Sequence, residues 1–497
     1  MVTKSSLQKN LVYTALLILL SRVLGLYQDQ LLIHFFAGAT AASDAFLTAF
    51  RIPNMLRNIF SEGLLTAALI PVIVQFLQTN QRDRALRLLT FFFFITIFIF
   101  SLLWVYVWYF PASIIKLFAP GLDTLRLNYA TYFLPAMFGF VFFLASSEIL
   151  SAGLRSINHF FIPALGPSLY TATIIIALLL AKKFSWQSYT LAWMVTLGGF
   201  VKFLARYSAF RYFSLSLLAP KFINTLADAK IVFLRTMPLL GGFGVTQTHI
   251  IVEGIVGSYL AIGEISILHC AWRLINVPQI MLRHTVNLVL LPYLSAFLLH
   301  SKLRMRFMFF EVIKLLVWLS MPLSLQFFLS AKNLSAIFYG STATALVIAK
   351  SAIVLQVLSL GIVFHLLNQA LTTTFYACKD TLSPSLINSC ATLINASGSF
   401  LGLRLFGLPG IPLATVFSII ITAPVLLIVL WQKHNIYIPI AKLMKFCAAS
   451  FLQILLFLFL KIFLQYFFLT TTNWWLLGCY PFIFLTKRWF GIRFFLL

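Results

Sequence analysis

The chain has 497 residues, of which 61% are hydrophobic and 9% are charged, and its formal net charge at pH 7 is +25. A soluble protein of this length needs a largely polar exterior, which this composition cannot supply, so a soluble globular fold is excluded. The positive charge would suit a nucleic-acid-binding protein, but in so apolar a chain it indicates basic cytoplasmic loops of a membrane protein, with no nucleic acid involved.

Fourteen apolar segments follow one another along the chain. Their centres lie near residues 23, 62, 98, 140, 171, 196, 245, 280, 319, 359, 392, 420, 455 and 483. Apolar runs of about 20 residues are typical of helices that cross a bilayer, because a membrane strand needs only about 10. The sequence therefore predicts an all-α polytopic membrane protein with about fourteen transmembrane helices.

The first segment contains two opposite charges. Arg22 and Asp29 are seven residues apart and so share one helical face, and Gly25 between them would allow a hinge. A charged side chain at mid-bilayer costs roughly 2.5–3.5 kcal/mol on insertion scales. Both residues are therefore expected to face protein or water rather than lipid.

The second segment concentrates polar residues in the stretch AFRIPNMLRNIFSEG, residues 49–63. Pro53 removes a backbone hydrogen bond there and is expected to kink the helix as a second hinge. One helical face carries Asp44, Arg51, Asn58 and Glu62, and an adjacent face carries Asn54, Arg57 and Ser61.

Four short matches at a nearly constant spacing indicate an internal repeat. Pro71 and Pro163 recur as Pro292 and Pro384, and residues 49–51 and 189–193 recur as residues 271–273 and 411–415. Six segments per copy would give both copies one orientation, hence two lobes related by a pseudo-twofold axis along the membrane normal, with a cavity between them. The predicted lobes are residues 1–215 and 216–435, and residues 436–497 would add two helices.

Basic residues are unevenly shared between the connections. With the N-terminus in the cytoplasm, the cytoplasmic connections would hold most of them, including Arg82, Arg84, Arg155 and Arg206, and the opposite connections only a few, including Arg126. The bias of Lys and Arg towards the cytoplasm favours this orientation. Both termini are therefore expected to be cytoplasmic.

Arginines exceed nearby acids in the polar segments of both copies. Arg22, Arg57 and Arg273 stand out, the last in a segment that also carries Asn276, Pro278, Arg283 and His284. A guanidinium group stays charged and binds phosphate through a planar fork of donors. A cavity lined in this way would favour a phosphate or diphosphate group. Alternatively, Arg22–Asp29 and Arg51–Glu62 are structural pairs between helices, and Glu148 is structural or interfacial.

Several of these stretches resemble the MurJ (MviN) family of lipid II flippases, within the multidrug/oligosaccharidyl-lipid/polysaccharide exporter superfamily. They are SRVLGLYQD (21–29), SDAFLTAFRIPNMLRNIFSEG (43–63), ALIPV (68–72) and AWRLINVPQ (271–279). The resemblance implies fourteen transmembrane helices in the bacterial cytoplasmic (inner) membrane. It also implies movement of the lipid-linked peptidoglycan precursor to the outer leaflet, hence a role in cell wall biogenesis and cell shape.

The resemblance assigns roles to individual residues. The family's cavity arginines fall on Arg22, Arg57 and Arg273, and its early acidic residue in the second helix falls on Asp44. Gln28 stands where the family usually has a second arginine before the aspartate, so one contact would be lost or shifted to Arg51 or Arg283. The predicted substrate-binding set is Arg22, Gln28, Asp29, Asp44, Arg51, Arg57, Glu62 and Arg273. Oxygen ligands for the family's cation site would come from Glu253, Asn388, Thr392 and Asn395.

The leading hypothesis is a flippase that works by alternating access and has no enzymatic activity. It needs no cofactor and has no phosphate-binding loop of the G-x-x-x-x-G-K-[ST] type, so an ion gradient of a monovalent cation or the membrane potential would supply energy. Its partners would be lipid II, membrane lipids and the cell-wall synthesis machinery. One alternative is an organic-cation exporter of the same superfamily. Another is a membrane enzyme that uses Asp123.

Overall fold

The structure, a computed structural model, describes residues 4–61, 64–218, 222–280, 282, 302–436, 446, 448, 450 and 451. The regular elements within these ranges are helices. In chain order they are α1 (Lys4–Phe35), α2 (Ala41–Ser61), α3 (Leu64–Gln78), α4 (Arg82–Tyr109), α5 (Pro111–Phe118), α6 (Thr124–Ser156), α7 (Phe161–Phe184), α8 (Ser188–Tyr212), α9 (Phe222–Gly257), α10 (264–280), α11 (Lys302–Tyr339), a 3₁₀ turn (Gly340–Thr342), α12 (Ala345–Leu360), α13 (Ile362–Ala377), α14 (Leu382–Phe406) and α15 (Gly410–His434).

These helices confirm the predicted all-α polytopic fold. Among the described residues, seven helices are long and apolar enough to cross a membrane, or up to eight if the bent pair α12–α13 is one span. That pair bends by 41° at Gly361, inside the segment predicted around residue 359. Described helices lie over the first twelve predicted segments, whereas the segments near 455 and 483 fall outside the described residues.

The chain forms two compact units, Met1–Ser266 and Ile267–Leu497. In the first unit α6 is the central helix, since it packs against α2, α3, α4, α5, α7 and α8. Its side chains are buried over most of its length, as expected of a helix apolar on all sides. Gly139 on α6 permits this packing, because a Cβ there would lie 2.6 Å from the Trp104 ring. The division into predicted lobes stays a prediction.

The outward face of α4 in the first unit is apolar. On α4, Phe94, Phe98 and Leu102 are exposed, and the same helix ends with exposed Trp108 and Tyr109. Apolar side chains that face outwards along a helix suit contact with lipid tails, and Trp and Tyr favour the boundary between membrane and water. The exposed face of α4 is therefore suited to a bilayer.

In the second unit, α11 packs against α12 and α13, and α15 packs against α12, α13 and α14. The closest approach is at Gly402 on α14 and Gly410 on α15, where a Cβ on either residue would collide with the backbone of the other. Small residues allow membrane helices to come into backbone contact. The glycine pair therefore sets the junction of α14 and α15.

Candidate functional site

The predicted residues of the first segment lie on α1, which packs against α7. Asp29 and Gly25 are buried, while Arg22 and Gln28 are half-buried. Arg22 and Asp29 each have an interacting partner in the structure. The burial of Asp29 agrees with the expectation that its charge does not face lipid, and for the half-buried Arg22 that expectation stays a prediction.

On α2, Arg51 and Arg57 are half-buried and Pro53 is buried inside a helix that continues through it. Arg57 has an interacting partner. Glu62 lies outside the described residues. The hinge roles of Gly25 and Pro53 stay predictions.

Asp44 lies in the first turn of α2, and its side chain is fully buried. Its Oδ2 accepts a hydrogen bond from the Gly263 N–H (2.7 Å), and its Oδ1 accepts from the Ser266 N–H (2.8 Å) and the Ser266 hydroxyl (2.6 Å). Ser266 is in the first turn of α10, where N–H groups lack partners within the helix. Asp44 therefore caps α10 from another helix, and its charge suits the positive end of the helix dipole. We call these contacts of Asp44 with Gly263 and Ser266 the extracytoplasmic clasp, since the predicted topology places them on that side.

Arg126 joins this clasp from α6. Its Nη1 lies 3.6 Å from Oδ2 of Asp44, and its Nε donates to the Asp123 carboxylate. Asp123 precedes the spanning part of α6. Burial acts to raise the pKa of Asp123, but the hydrogen bond and the charge of Arg126 outweigh it and lower the pKa below its usual value. Arg126, predicted in a connection, is thus a buried helical residue that links two carboxylates.

Two further bonds hold the turn between α9 and α10 in place. The Ser43 and Ser266 hydroxyls are hydrogen-bonded at 2.8 Å, and the Gly121 N–H donates to the Ser258 hydroxyl at 2.8 Å. Gly263 in this turn has φ of +87°, and a Cβ there would lie 2.5 Å from the Ala39 carbonyl oxygen. Glycine is required at this position because of both its backbone conformation and the lack of space.

Arg51 lines a small pocket between α2, α5 and α9. The lining residues are Thr48, Arg51, Ile52, Met55, Phe118, Ile250, Ile251 and Gly254. A Cβ on Gly254 would come within 3.2 Å of Nη1 of Arg51, so this glycine makes room for the guanidinium group. The pocket therefore presents one cation between mainly apolar walls.

A buried group of charges joins α6, α7 and α8, and we call Ser147, Glu148, Lys202 and Arg206 the α6–α8 charge cluster. Oε1 of Glu148 accepts from Nζ of Lys202 (3.1 Å) and from Nη1 of Arg206 (2.7 Å), which also donates to the Ser147 hydroxyl (3.0 Å). The exposed fractions of Glu148, Lys202 and Arg206 are 4%, 4% and 2%. One carboxylate oxygen thus accepts hydrogen bonds from two buried cations.

The α6–α8 charge cluster also supplies a hydrogen bond that the backbone of α7 lacks. Pro167 has no N–H, so the carbonyl of Pro163 one turn earlier on α7 lacks its usual donor. Nη2 of Arg206 donates to that carbonyl at 3.1 Å. Gly166 leaves room for this contact, because a Cβ there would lie 3.0 Å from Nη2.

The sequence predicted Glu148 as structural or interfacial, and its buried place in the cluster fits the structural role. The sequence put Arg206 in a cytoplasmic connection and did not single out Lys202. Arg206 is instead buried on α8. The available signal was the spacing of Lys202 and Arg206, four residues apart in an apolar run and hence on one helical face.

Residues predicted to hold a cation fall in different units. Glu253 is half-buried on α9, whereas Asn388, Thr392 and Asn395 lie on α14. Oδ1 of Asn395 accepts from the Ser399 and Thr415 hydroxyls, both at 3.2 Å. Within the described part of the chain, no group of three or more His, Cys, Asp or Glu residues could hold a metal ion.

Arg273 is half-buried on α10 and has an interacting partner. Arg283 lies outside the described residues. The convergence of Arg22, Arg57 and Arg273 on one cavity stays a prediction.

A second polar junction closes the α13–α14 turn in the second unit. Asp380 accepts from the Ser383 N–H (3.0 Å) and the Ser383 hydroxyl (2.6 Å), and Nε2 of His434 lies 3.2 Å from its Oδ2. Nζ of Lys433 is 3.9 Å away. Burial acts to raise the pKa of Asp380, but the hydrogen bonds and the lysine charge dominate and lower it to about 2.

The sequence profile of the family described as lipid II flippase MurJ matches residues 34–486. The probable lipid II flippase MurJ of Buchnera aphidicola (subsp. Schizaphis graminum, strain Sg) is 28% identical over 387 residues, which cover 76% of this chain and 74% of that protein. A solved structure titled "Lipid II flippase MurJ, inward closed conformation" matches with a TM-score of 0.79 and 23% identity, over 97% of this chain and 99% of that one. An inward-facing multidrug resistance transporter of the MATE family (MOP superfamily) matches with a TM-score of 0.69 and 14% identity, over 84% of this chain and 94% of that one.

Proposed function

This chain belongs to the lipid II flippase MurJ family, and from that premise we propose that it moves lipid II across the bacterial cytoplasmic (inner) membrane by alternating access. The family match over residues 34–486 is the observation that carries this function. Lipid II, a diphosphate-linked lipid, is the substrate, and its export feeds peptidoglycan synthesis. The protein performs no covalent step.

The diphosphate of the head group binds to Arg22, Arg57 and Arg273. Arg22 and Arg57 in the first unit are both half-buried, which supports this role. A phosphate group binds best to donors that remain accessible to it and are not fully solvated. Arg51, in its largely apolar pocket, supplies a further cation on α2. Gln28, Asp29 and Glu62 complete the proposed substrate-binding set with polar contacts to the sugar and peptide.

Asp44 acts in the conformational cycle rather than by contacting lipid in this conformation. Its carboxylate is buried and accepts hydrogen bonds from Gly263 and Ser266 in the extracytoplasmic clasp. The residues of this clasp all lie within Met1–Ser266, and in an alternating-access cycle the clasp opens when the site becomes exposed to the extracytoplasmic side. Asp44 then becomes available to the head group.

An ion gradient or the membrane potential drives the cycle. A monovalent cation would be held by oxygen ligands from Asn388, Thr392 and Asn395, with Glu253 as a further ligand. Both termini lie in the cytoplasm, and the cell-wall synthesis machinery is the expected partner.

Transport of fluorescent lipid II by purified protein in liposomes tests the function. Arg22→Ala, Arg57→Ala and Arg273→Ala should each abolish most transport while membrane insertion and folding persist. Arg211→Ala is the matched control, since Arg211 is exposed at the end of α8. Normal transport by all three variants would refute the assignment. Transport of cationic dyes in place of lipid II would favour the organic-cation exporter.

A further inference from the structure

Two parts of the chain that correspond in the internal repeat differ at their centre. At the spacing of 221 residues that relates Pro163 to Pro384, α6 (Thr124–Ser156) corresponds end to end to α12 and α13 together (Ala345–Ala377). The first copy is one continuous helix, whereas the second is broken at its middle residue, Gly361, with a bend of 41°. Helices interrupted near the middle of the bilayer are typical of binding sites in transporters.

One face of α13 is polar from this break onwards. Four polar residues recur there at the spacing of one helical face, and all four are half-buried. They are His365, Asn368, Gln369 and Thr372, and we call them the α13 polar stripe. A polar side chain deep in the bilayer is costly when it faces lipid, so the stripe is expected to face protein or water.

The α6–α8 charge cluster occupies the corresponding place in the first copy. Its carboxylate, Glu148, corresponds to Gln369 of the stripe. Its two cations lie on α8, and at the offset of 222 residues the corresponding positions on α15 are Pro424 and Ile428. The second copy thus keeps a polar face at this place without the ion pairs that satisfy it in the first copy.

Two neighbouring groups of the stripe have hydrogen-bonding capacity that the described part of the chain does not use. Asn368 donates through Nδ2 to the Ile419 carbonyl of α15 at 3.1 Å, while its Oδ1 is buried and accepts no hydrogen bond from the described residues. One turn later, the Thr372 hydroxyl has no partner among those residues either. Buried polar atoms are costly when left unsatisfied, so these two groups call for a partner.

The chemistry of the stripe suits an uncharged polar ligand. None of its side chains is a carboxylate or a permanently charged cation, which a divalent metal ion or a phosphate group would favour. Carboxamides and hydroxyls both donate and accept hydrogen bonds, as the hydroxyl and amide groups of sugars and peptides do. At the break itself, the Ser359 carbonyl already accepts a hydrogen bond from the Ser324 hydroxyl of α11 at 2.7 Å.

We propose that the α13 polar stripe binds the uncharged sugar and amide groups of the lipid II head group, with Asn368 and Thr372 as the contacting pair. This inference rests on the proposed function, and it gives a place in the second unit to the part of the head group that the arginines do not bind. Oδ1 of Asn368 accepts from a sugar hydroxyl or an amide N–H, and the Thr372 hydroxyl bonds the next polar group. A few placed polar groups of this kind give a site its specificity.

Binding of two lipids to purified protein in nanodiscs tests the inference. Lipid II carries the sugar and peptide, whereas undecaprenyl diphosphate carries only the lipid and the diphosphate. Thr372→Val keeps the shape of the side chain but removes its hydroxyl, so affinity for lipid II should fall about threefold to tenfold, the usual contribution of one hydrogen bond. Affinity for undecaprenyl diphosphate should stay at the wild-type value.

Two further variants complete this comparison. Asn368→Leu should weaken lipid II binding in the same selective way, although it also lowers the melting temperature because the Ile419 carbonyl loses its donor. Thr374→Val is the matched control, since it removes a buried hydroxyl of α13 that donates to the Ala370 carbonyl, and it should bind both lipids as wild type does. Unchanged affinity of Thr372→Val for lipid II, or an equal loss for both lipids, would overturn the inference.

Thiol labelling read out by mass spectrometry of peptides separates this inference from the proposed function. Thr372→Cys should react with a hydrophilic methanethiosulfonate, and the soluble sugar–peptide head group, without lipid or diphosphate, should slow this reaction. Thr374→Cys should stay unlabelled, because Thr374 is fully buried. If wild-type protein binds neither lipid, the proposed function fails, while protection of Thr372→Cys still supports the stripe. An unlabelled Thr372→Cys, or labelling that the head group does not slow, would overturn the inference.

Discussion

Asp44 is hydrogen-bonded to the residue at its own repeat offset, Ser266. The two are 222 residues apart, which is the spacing that relates residues 49–51 to residues 271–273. The N-terminal turn of α2 and that of α10, its predicted counterpart in the second copy, therefore meet through a carboxylate in one copy and a serine in the other. The asymmetry gives this contact a charge that a symmetric pair of serines would lack.

The first prediction concerns that carboxylate. Asp44→Asn retains one acceptor oxygen and loses both the charge opposite Arg126 and one of the acceptors for Gly263 and Ser266. We expect a loss of stability of about 1–3 kcal/mol, because a buried donor is left without a partner. Thermal unfolding in detergent micelles measures it, with the exposed Asp83→Asn as the control. An equal effect of both changes would show that the clasp contributes nothing.

The second prediction compares two glycines with positive φ. Gly407 has φ of +66° and ψ of −137°, a backbone conformation that favours glycine, and open space where a Cβ would be, so Gly407→Ala should cost only the backbone strain, about 1–3 kcal/mol. Gly263→Ala adds a collision with the Ala39 carbonyl and should cost clearly more. Melting temperatures of the two variants check the order. A smaller loss for Gly263→Ala would mean that the turn relaxes without damage to the clasp.

The third prediction concerns the start of α9. Nε and Nη2 of Arg84 bind Oδ2 and Oδ1 of Asp228 at 2.8 and 2.7 Å, and the guanidinium group lies over the Phe76 ring. Arg84→Lys keeps the charge but cannot form the two-pronged bond, so we expect a loss of about 1 kcal/mol.

Unfolding of Arg84→Lys is best compared with that of Arg87→Lys on the same helix. Arg87 has no ion pair within the described residues, so its replacement should have little effect. The side chain of Asp228 is almost fully buried while that of Arg84 is half exposed, which is why the expected loss is modest. Equal melting temperatures of the two variants would show that the fork geometry is unimportant.

The fourth prediction is a pH dependence from Asp380. Its pKa in the folded protein is about 2, below the ordinary 3.8, so the carboxylate stabilises the fold above the ordinary value. That stabilisation should be lost as the pH falls from about 4 towards 2. The melting temperature of wild-type protein should therefore drop more over this range than that of Asp380→Asn. Parallel curves for the two proteins would contradict the assigned bonds to Ser383 and His434.

The helical fold and the position of nearly every described span were predictable, because apolar runs of membrane length carry that information directly. The helical position of Arg126, Arg155 and Arg206 was not predictable. The sequence placed them in connections, yet all three lie in helices. The reason is length: α6 has 33 residues and α8 has 25, so they extend about 50 Å and about 38 Å, beyond a hydrocarbon core of about 30 Å. Charges near their ends are therefore helical.

The sequence also did not predict which residues far apart in the chain become hydrogen-bond partners. The resemblance predicted Asp44 as a binding residue, and nothing local shows that its carboxylate would find its donors in Gly263 and Ser266, far along the chain. The same holds for Lys202 and Glu148, which are 54 residues apart on different helices. Periodicity assigns a residue to a face of its own helix, whereas its partner depends on which helices become neighbours.

The bond from Arg206 to the Pro163 carbonyl has a consequence for local opening. A helix normally frays at a proline, since the turn before it has lost one backbone bond. Here that turn of α7 is closed by a side chain of α8, so it should open only when α8 separates from it. Amides on both sides of Pro167 should then exchange with deuterium at the rate of residues around Arg206 on α8, and Arg206→Met should speed up the exchange in α7 first.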